Sequence, residues 1–446
     1  MATTELKRTI SSAGSQTKWG ASAWVKLGGV GTSISQPVYC SSKSDTTANL
    51  RGIFITSDDK IQVGYYDGSY SFQVETNRLL KDPCAFYHLC IEFDSSQSTA
   101  NDRIKIWVNG VQETSMATNS QPSQNGTYNF FGTDITQLVG SLREGSTICN
   151  PCIISHLHVT DGYCYPASSY GETDTDTGEW KIKTAPSVSY GTNGFFVLKN
   201  DAALTDRSGQ GNNLTLGSGT LTKSEDNPDN NYCVLNTNMP MAGDCSFENA
   251  NNSFKCSTSN WRMFMGSLGI TKGKYYWEFK PTVHSGGDFP QIGIISPDAF
   301  DADDYIGNKS SGYAYMHDGR KNVPAGASTY GNTWAANDII SVAFDMDNLK
   351  LYFGKNGTWQ NSGDPTSGST GTGAISVSSS FSCYVPGGSV YEAGSGGAPI
   401  YQFNFGNGYF GSTAVSSAGT NASGNGIFEY DVPANFTALC TKGLNT

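Results

Sequence analysis

Apolar and polar residues alternate in short runs along most of this chain. Ser22-Ala-Trp-Val-Lys-Leu27, Gly52-Ile-Phe-Ile-Thr56, Ile61-Gln-Val-Gly-Tyr-Tyr66, Tyr87-His-Leu-Cys-Ile-Glu-Phe93 and Ile104-Lys-Ile-Trp-Val108 are each followed by Gly, Asn, Asp or Ser. That pattern predicts antiparallel strands joined by turns. Asn-Gly pairs at 109–110, 125–126, 193–194, 356–357, 407–408 and 425–426 supply the positive φ that tight hairpins require. No segment sustains a 3.6-residue apolar period over three turns, so helix is minor.

The pattern weakens in the middle and then resumes. Between about 165 and 230 lie the polar turns Gly171-Glu-Thr-Asp-Thr-Asp-Thr-Gly178 and Asp206-Arg-Ser-Gly-Gln-Gly-Asn-Asn213, with short apolar pieces such as Phe195-Phe-Val-Leu198 between them. Beyond them come Lys274-Tyr-Tyr-Trp-Glu-Phe279, Gln291-Ile-Gly-Ile-Ile295, Ile339-Ile-Ser-Val-Ala-Phe344 and Leu349-Lys-Leu-Tyr-Phe353. A chain of 446 residues also exceeds the ~100–200 that one core usually serves. The expected fold is therefore all-β: two antiparallel β-sandwich domains of jelly-roll type, residues 1–170 and 230–446, joined by an irregular Gly/Asn/Asp-rich connecting region, 171–229.

The halves echo each other. Ile91-Glu-Phe-Asp94 leads to Ile104-Lys-Ile-Trp-Val-Asn-Gly110, and Val342-Ala-Phe-Asp345 leads to Leu349-Lys-Leu-Tyr-Phe-Gly-Lys-Asn-Gly357. Period two places Ile104, Ile106 and Val108 on one face, and Leu349, Leu351 and Phe353 on another, as core positions. It turns Glu92 and Glu278 outward and leaves Asp94 and Asp345 as turn formers. Trp24, Trp107, Trp277 and Trp334 lie in or beside strands, where core packing is expected.

Charge narrows the partners. Acidic residues outnumber basic ones 39 to 28, the net charge is −11, and no basic run exceeds Lys7-Arg8. Nucleic acid and anionic membrane are poor partners for such a surface. A polar N-terminus and the lack of an ~18-residue apolar stretch predict no secretory signal and no membrane insertion, hence a soluble protein made in a cytoplasm.

Candidate chemistry is sparse. Eleven cysteines, an odd number in a large chain, are expected to be mostly reduced and buried. Cys149 and Cys152 form a lone Cys-x-x-Cys near His156 and His158, but the run reads as a strand with Ile154, His156 and His158 on one face and Ile153, Ser155, Leu157 and Val159 on the other. Asp174, Asp176 and Gly178, and the cluster Asp298, Asp301, Asp303 and Asp304, offer fewer oxygens than calcium takes, so they read as solvated loops. No metal and no cofactor are expected. The sequence holds no Glu-x-Asp-x-x-Glu strand, no Gly-x-Ser-x-Gly elbow and no phosphate loop, and none of the five histidines has an evident nucleophile partner, so no enzyme is expected.

Several stretches carry a resemblance. Thr9-Ile-Ser-Ser-Ala-Gly-Ser15, Ser22-Ala-Trp-Val-Lys26, Tyr87-His88, Phe93-Asp94 and Ile106-Trp-Val-Asn-Gly110 are similar to laminin G-like domains of the concanavalin A-like superfamily. Gly273-Lys-Tyr-Tyr-Trp-Glu-Phe279, Ile292-Gly-Ile294, Ala336-Asn-Asp-Ile-Ile-Ser-Val-Ala-Phe-Asp345, Leu351-Tyr-Phe-Gly-Lys-Asn-Gly357 and Phe403-Asn-Phe-Gly406 resemble a SPRY domain. Tyr170-Gly-Glu-Thr-Asp174, Asp206-Arg-Ser-Gly-Gln-Gly-Asn-Asn213 and Tyr430-Asp-Val-Pro-Ala-Asn-Phe-Thr-Ala-Leu-Cys440 look like parts of tail-fibre-like and structural proteins of tailed bacteriophages.

The resemblance implies a virion structural protein assembled in the host cytoplasm. It would be an appendage or fibre component contacting host surface glycan or protein, or else an architectural head or tail decoration protein binding only other virion subunits. SPRY domains bind through loops at one edge of the sandwich, which points to Tyr313, Tyr315, His317, Asp318, Arg320, Lys321 and Trp359 as ligand-binding candidates. Framework packing competes for Tyr313 and Tyr315, which alternate as strand residues do. Since the connecting region lacks an evident core of its own, a closed homo-oligomer, most readily a trimer, is expected to order it.

Overall fold

The computed structural model describes residues 4–31, 35–43, 49–145, 152–199, 204–239, 245–283, 289–391 and 398–445. It is all-β, and the one α-helix among the described residues is Thr441–Leu444. The chain forms two compact units, Met1–Lys223 and Ser224–Thr446.

In the first unit an eight-stranded and a six-stranded antiparallel sheet enclose one core. The six-stranded sheet runs Phe195–Val197, Ile153–Asp161, Lys18–Lys26, Phe86–Asp94, Ile104–Val108 and Val111–Glu113. Ile104, Ile106 and Val108 all enter the core, as their alternation predicts. Trp19 anchors it, stacked on Phe93 at 5.6 Å and tilted against Phe130 at 4.8 Å. Alternation fails at His156, where a bulge with φ 49° lets two residues oppose one across the strand pair. Ile154 consequently packs toward the same core as Leu157 and Val159, while His158 faces away from it. Cys149 lies outside the described residues.

The stretch 171–229 differs from a connector without a core. Phe195–Val197 adds an edge strand beside Ile153–Asp161, Thr215–Ser218 adds one beside Glu5–Thr9, and Phe195, Val197 and Leu214 join the first core. The three apolar residues Phe195–Val197 suffice because they extend a sheet that already exists. The intervening loop is organised by buried Asp206, whose carboxylate accepts from Phe196 N (2.8 Å), Ser208 N (2.8 Å), Ser208 Oγ (2.7 Å) and Asn212 N (2.9 Å). Asp206→Ala leaves these donors without their acceptor, and is expected to cost the first unit about 2 kcal/mol in a denaturant titration. An unchanged midpoint would mean that water replaces the carboxylate at no cost.

In the second unit the six-stranded sheet runs Arg262–Met265, Val385–Val390, Gln291–Ile295, Tyr313–Met316, Arg320–Val323 and Gly326–Thr329. The larger sheet is centred on Lys274–Val283, Ile340–Asp345 and Lys350–Lys355. Leu351 and Phe353 are core residues. Leu349 sits in the preceding turn at φ 55° and packs at the core's margin. Among the described cysteines, Cys245 and Cys256 form a disulfide between paired strands.

The echo between the halves extends to register. Lys18 pairs with Asp94 and Lys274 with Asp345, and each lysine Nζ reaches its aspartate at 2.8 and 2.9 Å respectively. The aspartates also form turns, Asp94 accepting from Ser96 N and Asp345 from Asn348 N. At the far ends, Asn109 and His88 exchange two hydrogen bonds, and Asn356 and Ile339 exchange the same two. Each following glycine has positive φ and lies under an aromatic ring, Gly110 under Trp180 and Gly357 under Tyr430, so neither has room for a Cβ.

Both rings arrive on segments that cross the outer face of the central strands. That crossing corrects the outward assignment of Glu278, which is fully buried beneath the C-terminal segment carrying Phe428, Val432 and Phe436. Glu92 is half-buried and accepts from Trp107 Nε1 at 2.7 Å.

Candidate functional site

The strongest candidate surface is assembled at the ends of adjacent strands in the six-stranded sheet of the second unit. Arg262 pairs with Val390, which sets Trp261 beside Tyr391 just beyond the two strands. Gln291 pairs with Met316, so Phe289 and His317 come together next. A continuous row of rings follows from this register: Trp261 to Tyr391 at 5.5 Å, Tyr391 to Phe289 at 6.1 Å and Phe289 to His317 at 5.7 Å. Tyr305, from the loop after the strand Gln291–Ile295, packs on Trp261 at 4.9 Å. Phe289 is 40% exposed, Trp261, Tyr305 and Tyr391 are half-buried, and none of the four belongs to a hydrophobic core cluster.

Beside the row, Ser259, Asn260, Trp261, Arg262, Asp303 and Tyr391 line an open recess of 430 Å³. Arg262 Nη1 donates to Asp303 Oδ1 at 2.7 Å and to the Trp261 carbonyl at 3.0 Å. The arginine side chain is 9% exposed and its aspartate partner 75%. A buried cation thus fixes an open carboxylate against aromatic walls.

The residues expected from sequence divide into three places. His317 joins the ring row. In the adjoining turn Arg320 Nε donates to Asp318 Oδ2 at 2.7 Å; against the opposing pull of partial burial, these bonds hold the Asp318 carboxyl below the usual range. Lys321 is half-buried on the following strand, opposite Tyr315 and Ser328. Tyr313 and Tyr315 are corrected as surface candidates: both are core residues, with Tyr313 OH accepting from Ser378 N and Tyr315 OH donating to the Asn332 carbonyl. Their strand alternation is the reason. Trp359 stands apart, packed against Tyr276 at 6.5 Å on the covered face of the larger sheet.

Sequence reading missed Trp261, Phe289, Tyr305 and Tyr391. One local signal pointed to Trp261, an indole closing the polar run Ser257-Thr-Ser-Asn260 immediately before a strand. Nothing local ties it to a residue 130 positions away.

Two other clusters resemble sites and resolve otherwise. In the first unit Ser22 Oγ lies 2.8 Å from His88 Nε2, the spacing of a nucleophile and its base. However, Trp180 Nε1 donates to His88 Nδ1 at 3.0 Å, and an indole can only donate. The neutral ring therefore carries its proton on Nε2 and donates to Ser22, the reverse of what a general base needs. Burial between Trp24 and Trp180 pushes the His88 pKa down to about 3. In the acidic loop, Lys309 Nζ reaches Asp301 at 2.9 Å and Asp304 at 2.8 Å, so these carboxylates are committed to an ion pair. Asp174 accepts from Asp176 N and Thr177 N and pairs with Lys181. Among the described residues no three His, Cys, Asp or Glu converge as metal ligands.

Comparison with known proteins places both folds. Residues 7–144 match the concanavalin A-like lectin/glucanases superfamily, and residues 274–375 match the SPRY domain. Among solved structures, the SPRY domain of human HERC1 is similar at 18% identity, covering 36% of this chain and 91% of that one, with a TM-score of 0.29. A second human SPRY domain matches at 14% identity, 36% and 94% coverage and a TM-score of 0.25. Stonustoxin matches at 10% identity, 39% and 27% coverage and a TM-score of 0.29. No curated protein sequence matches the chain. The first unit thus contains a concanavalin A-like domain, and the second a SPRY domain.

Proposed function

We propose that this chain is a non-enzymatic structural protein of a tailed-bacteriophage virion, an appendage or fibre component that contacts host surface glycan or protein. The observation that carries the reading is the row of partly exposed rings at the strand ends of the second unit. Partly exposed aromatic clusters beside polar groups mark contact surfaces. Support for the virion setting comes from the stretches 170–174, 206–213 and 430–440, which resemble parts of phage structural proteins.

Its partners would be other virion proteins, assembled with it in the host cytoplasm. The edge strand Gly326–Thr329 is exposed along its whole length, and edges of that kind are usually covered when local concentration is high. A closed homo-oligomer, most readily a trimer, provides such cover. Light scattering on the purified chain should read three copies; a monomer at micromolar concentration would remove this part.

The purified chain is expected to compete with phage for adsorption to host cells, and Trp261→Ala is expected to abolish the competition. Undiminished phage adsorption in excess of the folded chain would favour the architectural alternative, a decoration protein that binds only virion subunits.

A further inference from the structure

We infer that the recess beside Trp261 is a subsite for one neutral pyranose ring of a glycan. The inference rests on the proposed role as a host-contacting protein and specifies the ligand class for that surface.

A sugar ring has an apolar C–H face and a polar rim, so its sites combine aromatic walls with fixed hydrogen-bonding groups. The recess supplies both. The Tyr391 ring is tilted 47° from the Trp261 plane, so the two rings that line the recess form an angled wall rather than a close-packed stack. Asp303 presents its carboxylate as an acceptor for sugar hydroxyls, and it needs no reorganisation because buried Arg262 already holds one oxygen. Asn260 and Ser259, both exposed, add donors and acceptors at the rim.

Charge and size define the class further. The exposed member of the Arg262–Asp303 pair is the carboxylate, so a uronate, sialate, sulfate or phosphate meets repulsion while a neutral sugar does not. At 430 Å³ the recess lies near the small end of the ~300–1,000 Å³ range of ligand pockets, a size that suits a single ring. Its openness implies weak binding of a single ring, on the order of millimolar, amplified when several copies engage a dense glycan.

Saturation-transfer NMR on the full chain tests this with the methyl glycosides of glucose, mannose, galactose and glucuronic acid. Transfer is expected from at least one neutral glycoside and not from the glucuronide. Trp261→Ala and Tyr391→Ala, which remove rings outside the core, should each weaken the signal about tenfold or more. Tyr163→Ala, an exposed tyrosine in the first unit, should leave it unchanged. Asp303→Asn should weaken the neutral sugar and let the glucuronide bind. No transfer from any neutral glycoside, or transfer indifferent to Trp261→Ala in a folded variant, overturns the inference. Host-cell adsorption separates the two levels: if Trp261→Ala abolishes adsorption although no sugar binds, the surface contacts protein and only the glycan assignment fails. If adsorption too is indifferent to Trp261→Ala, the host-contact reading fails with it.

Discussion

Replacing Glu278 with alanine is expected to loosen the C-terminal segment and to destabilise the second unit by roughly 3–5 kcal/mol, because several buried donors lose their shared acceptor and each one left unsatisfied costs about 1–3 kcal/mol. Its carboxylate accepts from Glu429 N and Tyr430 N at 2.9 Å each, from Asn404 Nδ2 at 3.2 Å and from Tyr276 OH at 3.0 Å. Two of these donors are consecutive backbone N–H groups of the crossing segment, so one side chain fastens that segment to the sheet. Asn404, directly paired with Glu278, adds a bond to the Ile427 carbonyl and accepts from Gly406 N and Gly408 N. Without the carboxylate, backbone donors and the Asn404 amide are left buried without their acceptor, and a cavity opens beneath Phe428. Denaturant unfolding should show the loss, and limited proteolysis should cut within 427–440 in the variant before the wild type. A variant within about 1 kcal/mol of wild type would show that water satisfies those donors. Glu278→Gln keeps the volume and one acceptor oxygen, and its loss should be smaller.

The same residue shows how far a sequence can be read. Alternation in Trp277-Glu278-Phe279 identified correctly that Glu278 faces away from the core between the sheets. It carried no information about what lies on the other face, because the covering segment is about 150 residues downstream. The strands, the hairpins at Asn109-Gly110 and Asn356-Gly357 and the repeated core positions were legible because each depends on neighbours in sequence, whereas Asn193-Gly194 has positive φ at neither residue. The bulge at His156 was not, since an extra residue in one strand is visible only against its partner. The ring row is the extreme case. Trp261, Phe289, His317 and Tyr391 are adjacent because of strand register alone, whereas Tyr313 and Tyr315, chosen for their place in an aromatic run, follow strand alternation into the core. Phe195–Val197 was undervalued because three apolar residues make a poor independent strand, yet an existing sheet edge supplies the rest.

Between pH 7 and pH 5 the two units are expected to change stability in opposite directions. In the first, burial pushes His88 down to about 3, and His158, buried against Phe196 with its Nδ1 2.8 Å from Tyr190 OH, is pushed down as well. Below about 6.5 the unfolded chain takes up protons that the folded histidines refuse, so stability falls as the pH falls, by about 2 kcal/mol at pH 5 for His88 alone. In the second unit, burial raises Glu278 to about 7 while its hydrogen bonds pull the other way. There the folded state holds a proton that the unfolded carboxyl releases above about 4.5, so stability rises over the same interval by about 2 kcal/mol. Paired carboxylates such as Asp94, held at about 2 by Lys18, Ser96 and Gln97 against its partial burial, respond only at lower pH. Hydrogen exchange, corrected for the intrinsic pH dependence of amide exchange, can follow both units in one sample. Protection should fall in Lys18–Lys26 and Phe86–Asp94 and rise in Lys274–Val283 and Ile340–Asp345 on acidification. Glu278→Gln should flatten the second response and leave the first intact, because the amide does not titrate and His88 and His158 lie in the first unit. If both units moved in the same direction, the balance of burial and hydrogen bonding assigned to Glu278 would be wrong, and its charge would be stabilised in place by the donors that converge on it.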